Sequence, residues 1–170
     1  RSRSPRRTLR AMKTLPEQKI LALDLGTKFG WAYQDEAGAV RWGTERLVKR
    51  KGRPGKILRD FEFWLMAHLI TLAPDVVVFE NVRRHRGVLA AHAFGAWRCV
   101  VLMKCDKLDV PVYEIEVPRI KMVASGKGNA TKSEMIEAVR NLGFAVDDED
   151  AADAVAILYT YRQTRKLETS

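Results

Sequence analysis

Two runs of the chain, Ile20-Leu21-Ala22-Leu23 and Val76-Val77-Val78-Phe79, are apolar at every position, and each ends on a carboxylate: Asp24 and Glu80. Short apolar runs without alternation fit strands covered on both faces, so the chain calls for a sheet with helices on either side. An acid at the end of such a strand must be desolvated, which is costly unless it is paired or bound to a cation. A second acidic feature, Asp150-Ala151-Ala152-Asp153, sets two carboxylates three residues apart. On a helix these share one face, and Asp150 falls in the first turn, where the helix dipole favours an anion. Four oxygen donors from three elements suit a hard divalent ion such as Mg²⁺ or Mn²⁺, and a pair of such ions can drive phosphodiester displacement. Taken singly, each acid is more often a turn residue or a solvated helix start. Their combination points to a metal site.

The remaining pattern supplies a frame for that sheet. Ile20–Asp24, a turn over residues 26–30, Trp31–Gln34 and Val40–Val48 read as three strands in hairpin succession. Apolar residues at three-and-four spacing from Ile57 to Leu72 predict an amphipathic helix stopped by Pro74. A buried strand over Asp75–Glu80, a helix over 88–106 and a strand over Val110–Ile115 follow, with a short segment after Pro118. Thr131-Lys132-Ser133-Glu134 is a capping box that opens a helix running to Asn141, and a last helix spans Asp150 to Arg162. The expected fold class is α/β: three antiparallel strands, then parallel strands alternating with helices, in a mixed sheet flanked by helices.

Length and charge narrow the function. The 170 residues suit a single domain, and a formal net charge of +9 favours an anionic partner, most simply nucleic acid. Five arginines and no acid lie in residues 1–11, so the body of the chain is still basic without them. Residues 1–13 are expected to be a disordered basic extension, with residues 14–170 as the domain. The two cysteines, Cys99 and Cys105, sit in one predicted helix and support neither a disulfide framework nor a zinc site. No signal peptide or membrane-crossing run is read from the sequence, and no membrane partner is expected.

On these residues the chain resembles the RuvC-type Holliday junction resolvases of the RNase H-like nuclease group. Ile20-Leu21-Ala22-Leu23-Asp24-Leu25-Gly26-Thr27 is similar to the first catalytic strand of that family, Val77-Val78-Phe79-Glu80 to its second acid, and Asp150-Ala151-Ala152-Asp153-Ala154-Val155-Ala156 to its closing helix. The resemblance implies an RNase H-like fold and a crossover junction endodeoxyribonuclease of DNA recombination and repair. It implies two Mg²⁺ or Mn²⁺ ions held by Asp24, Glu80, Asp150 and Asp153, and paired symmetric nicks leaving 5′-phosphate and 3′-hydroxyl ends. Lys121 and Lys132 fall where the family places lysines, and Lys132 is expected to be catalytic through the scissile phosphate. The resemblance also implies a homodimer, since two matched incisions need two symmetric sites. Ala90, Ala91, Ala93, Gly95 and Ala96 would serve a dimer seam or the monomer core equally well.

Arg83, Arg84 and Arg86 directly follow Glu80, so their loop is expected to grip phosphates beside the acids, with Lys28, Lys121, Lys127 and Lys132 as further DNA contacts. No aromatic residue occurs in Asn81–Arg86, where some relatives carry a wedge for the junction centre. Gly126-Lys127-Gly128-Asn129-Ala130-Thr131-Lys132-Ser133 comes near a P-loop, but Thr131 occupies the required second glycine. The alternatives are a nuclease for flaps, branched DNA or RNA, and a non-catalytic nucleic-acid-binding module of the same fold. A bacterial or phage-infected cytoplasm is the expected setting, with an organelle as the alternative.

Overall fold

The computed structural model describes residues 17–83 and 87–168. The expected N-terminal extension, and Arg84 and Arg86 of the arginine loop, lie outside the described residues. Five strands and five helices follow in the order β1 (Ile20–Asp24), β2 (Lys28–Gln34), β3 (Val40–Arg46), α1 (Lys56–Leu72), β4 (Val76–Asn81), α2 (Val88–Lys107), β5 (Val112–Glu116), α3 (Val117–Ser125), α4 (Lys132–Asn141) and α5 (Glu149–Glu168). They form one sheet of order β3-β2-β1-β4-β5. The first three strands are antiparallel neighbours, while β4 runs parallel to β1 and β5 parallel to β4. This is the mixed sheet that the sequence predicts.

The two apolar runs are central strands, and their side chains divide by parity between two cores. Leu21, Leu23, Val77 and Phe79 face α1 and α2, packing with Phe61, Leu65, Trp97 and Val101. Ile20, Ala22, Val76 and Val78 face the other way, toward α3, α4 and α5. Each strand is therefore buried on both sides, which explains why its sequence does not alternate. Continuing the same period of two, Asp24 and Glu80 fall on the α5 side.

Several boundaries differ from the sequence reading. The turn expected over 26–30 is shorter, because Lys28, Phe29 and Gly30 already pair with β3 and Gly30 pairs with Asp24. Strand β3 ends at Arg46 rather than Val48, and β5 begins at Val112 rather than Val110. The segment after Pro118 is a helix, α3, with Pro118 in its first turn, where no intrahelical amide is lost. Helix α5 extends to Glu168 and is buried on most of its circumference.

Helix α2 corrects a further expectation. By length and composition it could cross a membrane, a property the sequence reading missed because His92, Gly95 and Arg98 interrupt the apolar residues. In the fold, Trp97, Val101 and Cys105 bury one side of α2 in the core it shares with α1.

Candidate active site

The parallel pairing of β1 with β4 matches Ile20 to Val76 and Leu23 to Phe79, so the next step sets Asp24 level with Glu80. Both acids reach the C-terminal ends of parallel strands on the face covered by α5. The N-terminal end of α5 completes the group. Gly30 of β2, paired with Asp24, lies directly beneath that helix end, and a Cβ there would stand 1.7 Å from the Asp150 carbonyl oxygen. Only glycine permits this approach. Ala151, Ala152 and Ala154 keep the rest of the contact thin and are buried in it.

Charge and burial mark the acids as a set. The Asp24 carboxyl is held well above the usual carboxylate range, first by burial and then by Glu80, Asp153 and Asp150, with Lys132 opposing. Glu80 is pushed up to about 7 by burial and by Asp153, with Lys121 opposing. Burial also pushes Asp153 up to about 6, against the pull of Lys132. All three are half-buried, and among the described residues none has a hydrogen-bond or ion-pair partner.

The acids of the α5 entry have separate tasks. Asp148 is the helix cap: Oδ1 accepts from the amides of Asp150 (3.0 Å) and Ala151 (3.3 Å) and from Thr44 Oγ1 (2.7 Å). Its Oδ2 accepts from Lys28 Nζ at 2.5 Å, which holds the Asp148 carboxyl well below the usual range. Lys28 Nζ also stands 2.5 Å from Asp150 Oδ2. Glu149 pairs with Lys132 at 2.6 Å. Of the two acids that the sequence sets three apart, Asp150 is engaged by Lys28 and Asp153 lines the cleft described next.

A cleft of about 190 Å³ opens beside these acids, lined by Glu80, Asp153, Lys121 and Lys132 over a floor of Ile120, Met135 and Ile157. Lys121 Nζ donates to the Ala130 carbonyl at 2.7 Å, which fixes the lysine against the loop before α4. The capping box at Thr131 and Glu134 forms as predicted and seats Lys132 at the first position of α4. Beyond Glu80 a wider hollow of about 740 Å³ runs past Asn81, Arg83, Glu116 and Pro118.

The expected DNA contacts are dispersed along this surface. Arg83 pairs with Glu116 at the rim, and Lys127 with Glu134 at 2.7 Å, both exposed. Lys28 already pairs with two carboxylates, those of Asp148 and Asp150. His68 lies far from this chemistry in role: its ring stacks on Trp64 at 3.9 Å in the opposite core.

Sequence reasoning missed Gly30, Thr44 and Asp148. Asp148 carried a readable signal, an Asp placed to cap a helix three residues before Ala151. Gly30 carried none, because its role is the crossing of β2 by a distant helix.

A family model described as "Crossover junction endodeoxyribonuclease RuvC" matches residues 36–161. The chain belongs to this RuvC family. A RuvC of Chloroflexus aggregans is 30% identical over 154 residues, covering 86% of this chain and 93% of the relative. One from Halorhodospira halophila is 33% identical over 146 residues, covering 81% and 86%. A third, from Thermomicrobium roseum, reaches 39% over 93 residues, or 53% of this chain and 57% of that one. Among solved structures, Thermus thermophilus RuvC in complex with a Holliday junction superposes with a TM-score of 0.77 at 24% identity, covering 90% of this chain and 98% of the other. A yeast mitochondrial Holliday junction resolvase gives 0.58 at 18%, covering 93% and 83%. The fold is thus the RNase H-like mixed sheet of RuvC. The family match begins after β1 and β2, so the place of Asp24 rests on its pairing with Gly30 and its register with Glu80.

The donor set can be tested for a metal directly. Among the described residues no three His, Cys, Asp or Glu side chains form a ready-made cage. The chemistry of the set nevertheless fits a hard divalent ion: all donors are oxygens, three are half-buried without partners among the described residues, and their raised affinities for protons come from desolvation and mutual repulsion that a cation would relieve.

Proposed function

We propose that this chain is a Holliday junction-resolving endonuclease that cuts four-way DNA by metal-assisted phosphodiester hydrolysis. The observation that carries the reading is the convergence of Asp24, Glu80 and Asp153, half-buried and without a hydrogen-bond or ion-pair partner among the described residues, beside a cleft walled by two lysines. Asp24, Glu80, Asp150 and Asp153 would hold two Mg²⁺ or Mn²⁺ ions. When bound, such ions activate the attacking water and stabilise the leaving oxygen of an in-line displacement.

The chain's own residues do the positioning. Lys132 and Lys121 border the cleft and place positive charge where the scissile phosphate gathers negative charge. Lys132 is held in this position by Glu149 and must share its ammonium between that partner and the substrate. Arg83 at the rim, with Arg84 and Arg86 after it in sequence, would draw the neighbouring backbone phosphates toward the acids. The products are a 5′-phosphate and a 3′-hydroxyl on each nicked strand.

A homodimer completes the reading. Ala90, Ala93 and Gly95 of α2 are exposed, together with Val88 and Leu89, so these small residues do not serve the monomer core. A second copy packed on this face would present two symmetric sites to one junction. The bacterial origin of the relatives supports a bacterial or phage-infected cytoplasm as the setting.

Incubating the purified chain with Mg²⁺ or Mn²⁺ and synthetic four-way, three-way, flap and duplex DNA tests the reading. Paired nicks near the centre of the four-way substrate are expected, with end labels reporting 5′-phosphates. An intact junction at saturating metal would refute it.

A further inference from the structure

The clamp at the start of α5 has a use beyond capping. Asp148 has both oxygens committed, Oδ1 to Thr44 and two amides of the helix and Oδ2 to Lys28. Thr44 belongs to β3 and Lys28 to β2, so the helix end is tied to two strands at one residue. The Lys28 ammonium is also 2.5 Å from Asp150 Oδ2. Asp150 Oδ1 has no partner among the described residues. Lys28 therefore occupies one oxygen of Asp150 and leaves the other uncommitted among the described residues.

We infer that Lys28 is a positioning residue for metal binding: it orients Asp150 by bridging it to the helix cap Asp148, leaving Oδ1 as the ligand atom. The inference rests on the metal-site reading above. The physical reason is preorganisation. A free aspartate must give up rotamer freedom to ligate an ion, and a carboxylate in a purely acidic cluster is pushed away by its neighbours. A lysine on the far oxygen removes both costs, as groups behind metal ligands commonly do. Two of the three ammonium donors already go to carboxylates, and orientation of Asp150 uses Lys28 where it stands.

Binding of Mn²⁺ to the full chain, followed through the electron paramagnetic resonance signal of the free ion, tests this without cleavage. Lys28→Met should weaken Mn²⁺ binding about tenfold, the lower end of what loss of a group behind a metal ligand costs. Lys28→Arg should recover most of the affinity, because a guanidinium can also bridge two carboxylates. Metal-free binding to a four-way junction, and its salt dependence, should change little in Lys28→Met. Unchanged Mn²⁺ affinity in that variant would overturn the inference, as would weaker junction binding with a shallower salt slope. Should Lys28→Met fail to fold, Asp148→Asn keeps a competent cap but weakens the hold on Lys28, and it should also lose Mn²⁺ affinity; no loss there overturns the inference. If the unaltered chain itself binds no Mn²⁺, the metal-site reading falls, a result distinct from a chain that binds the ion equally well with and without Lys28.

Discussion

The two faces of the central sheet are built from alternate residues of the same strands, yet they follow opposite rules. The face under α1 and α2 is filled with large side chains: Phe29 meets Phe61 edge-on at 5.3 Å and Trp64 at 4.8 Å, and Phe61 meets Trp97 at 5.3 Å. The face under α5 meets that helix through Ala22, Ala32, Ala152, Ala154 and Ala156 beside Ile20, Val76 and Val78, and it ends in Asp24 and Glu80, which have no hydrogen-bond or ion-pair partner among the described residues. One face is filled with stacked and edge-on aromatic rings, and the other gives up electrostatic comfort to bring a helix of acids close to two strand ends. A single register therefore has to satisfy both, since slipping β1 by one residue would turn Asp24 into the aromatic core.

The sharpest way to break this comparison is to neutralise an acid. Asp24→Asn or Glu80→Gln should lower junction cleavage about a thousandfold or more, exceeding the 10²–10³ commonly lost with a single preorganised donor. The same variants should melt at a higher temperature than the parent in metal-free buffer at pH 8, because they relieve repulsion and desolvation. An active Asp24→Asn, or one that is less stable, would contradict the division of labour. On the opposite face Phe61→Ala should do the reverse. Phe61 is 1% exposed, and its loss should cost about 3–5 kcal/mol of stability by denaturant unfolding, while cleavage per folded molecule persists.

The division was partly legible before the structure. Uninterrupted apolar runs disclosed strands covered on both faces, and the acid at the end of each pointed to the end of the sheet where Asp24 and Glu80 lie level. Thr131 and Glu134 announced the start of α4 because capping is local chemistry. What stayed hidden depends on residues far apart in sequence. Lys28 read as a loop cation because nothing nearby shows that Asp148, 120 residues later, returns to it. Gly30 read as a turn glycine because its constraint comes from a helix end crossing β2. For α2, which the sequence reads as a helix over 88–106, the interrupted apolar pattern did not disclose which side enters the core and which small residues stay exposed.

Gly30→Ala sharpens the contrast at the place where both faces depend on one contact. The new methyl would meet the Asp150 carbonyl, a backbone atom that can move only with the helix end. A loss of about 1–3 kcal/mol is expected from overpacking, together with weaker Mn²⁺ binding, because Asp150 and Asp153 shift as a unit. Gly55→Ala, at a glycine with open space around it, is the control and should leave both quantities nearly unchanged.

The smallest expected effect is the dependence of stability on pH. Glu80 and Asp153 titrate near 7 and 6 in the folded chain, while ordinary values for these carboxyls are 4.5 and 3.8. Between about pH 4 and pH 7 the folded protein therefore retains protons that the unfolded chain has released, and raising the pH favours unfolding. Their contribution is fully present below pH 4 and is lost as the pH climbs through the folded values. A net change on the order of 1 kcal/mol is expected after mutual coupling, read as a lower melting temperature at pH 8 than at pH 5 in metal-free buffer. The depressed carboxyls of Asp148 and Glu134 act in the opposite sense but at more acidic pH, so they do not mask the trend. Glu80→Gln should flatten the profile, and Mn²⁺ should restore stability at pH 8 by taking the place of the lost protons. Phe61→Ala should lower the whole curve without changing its slope, because Phe61 itself binds no proton.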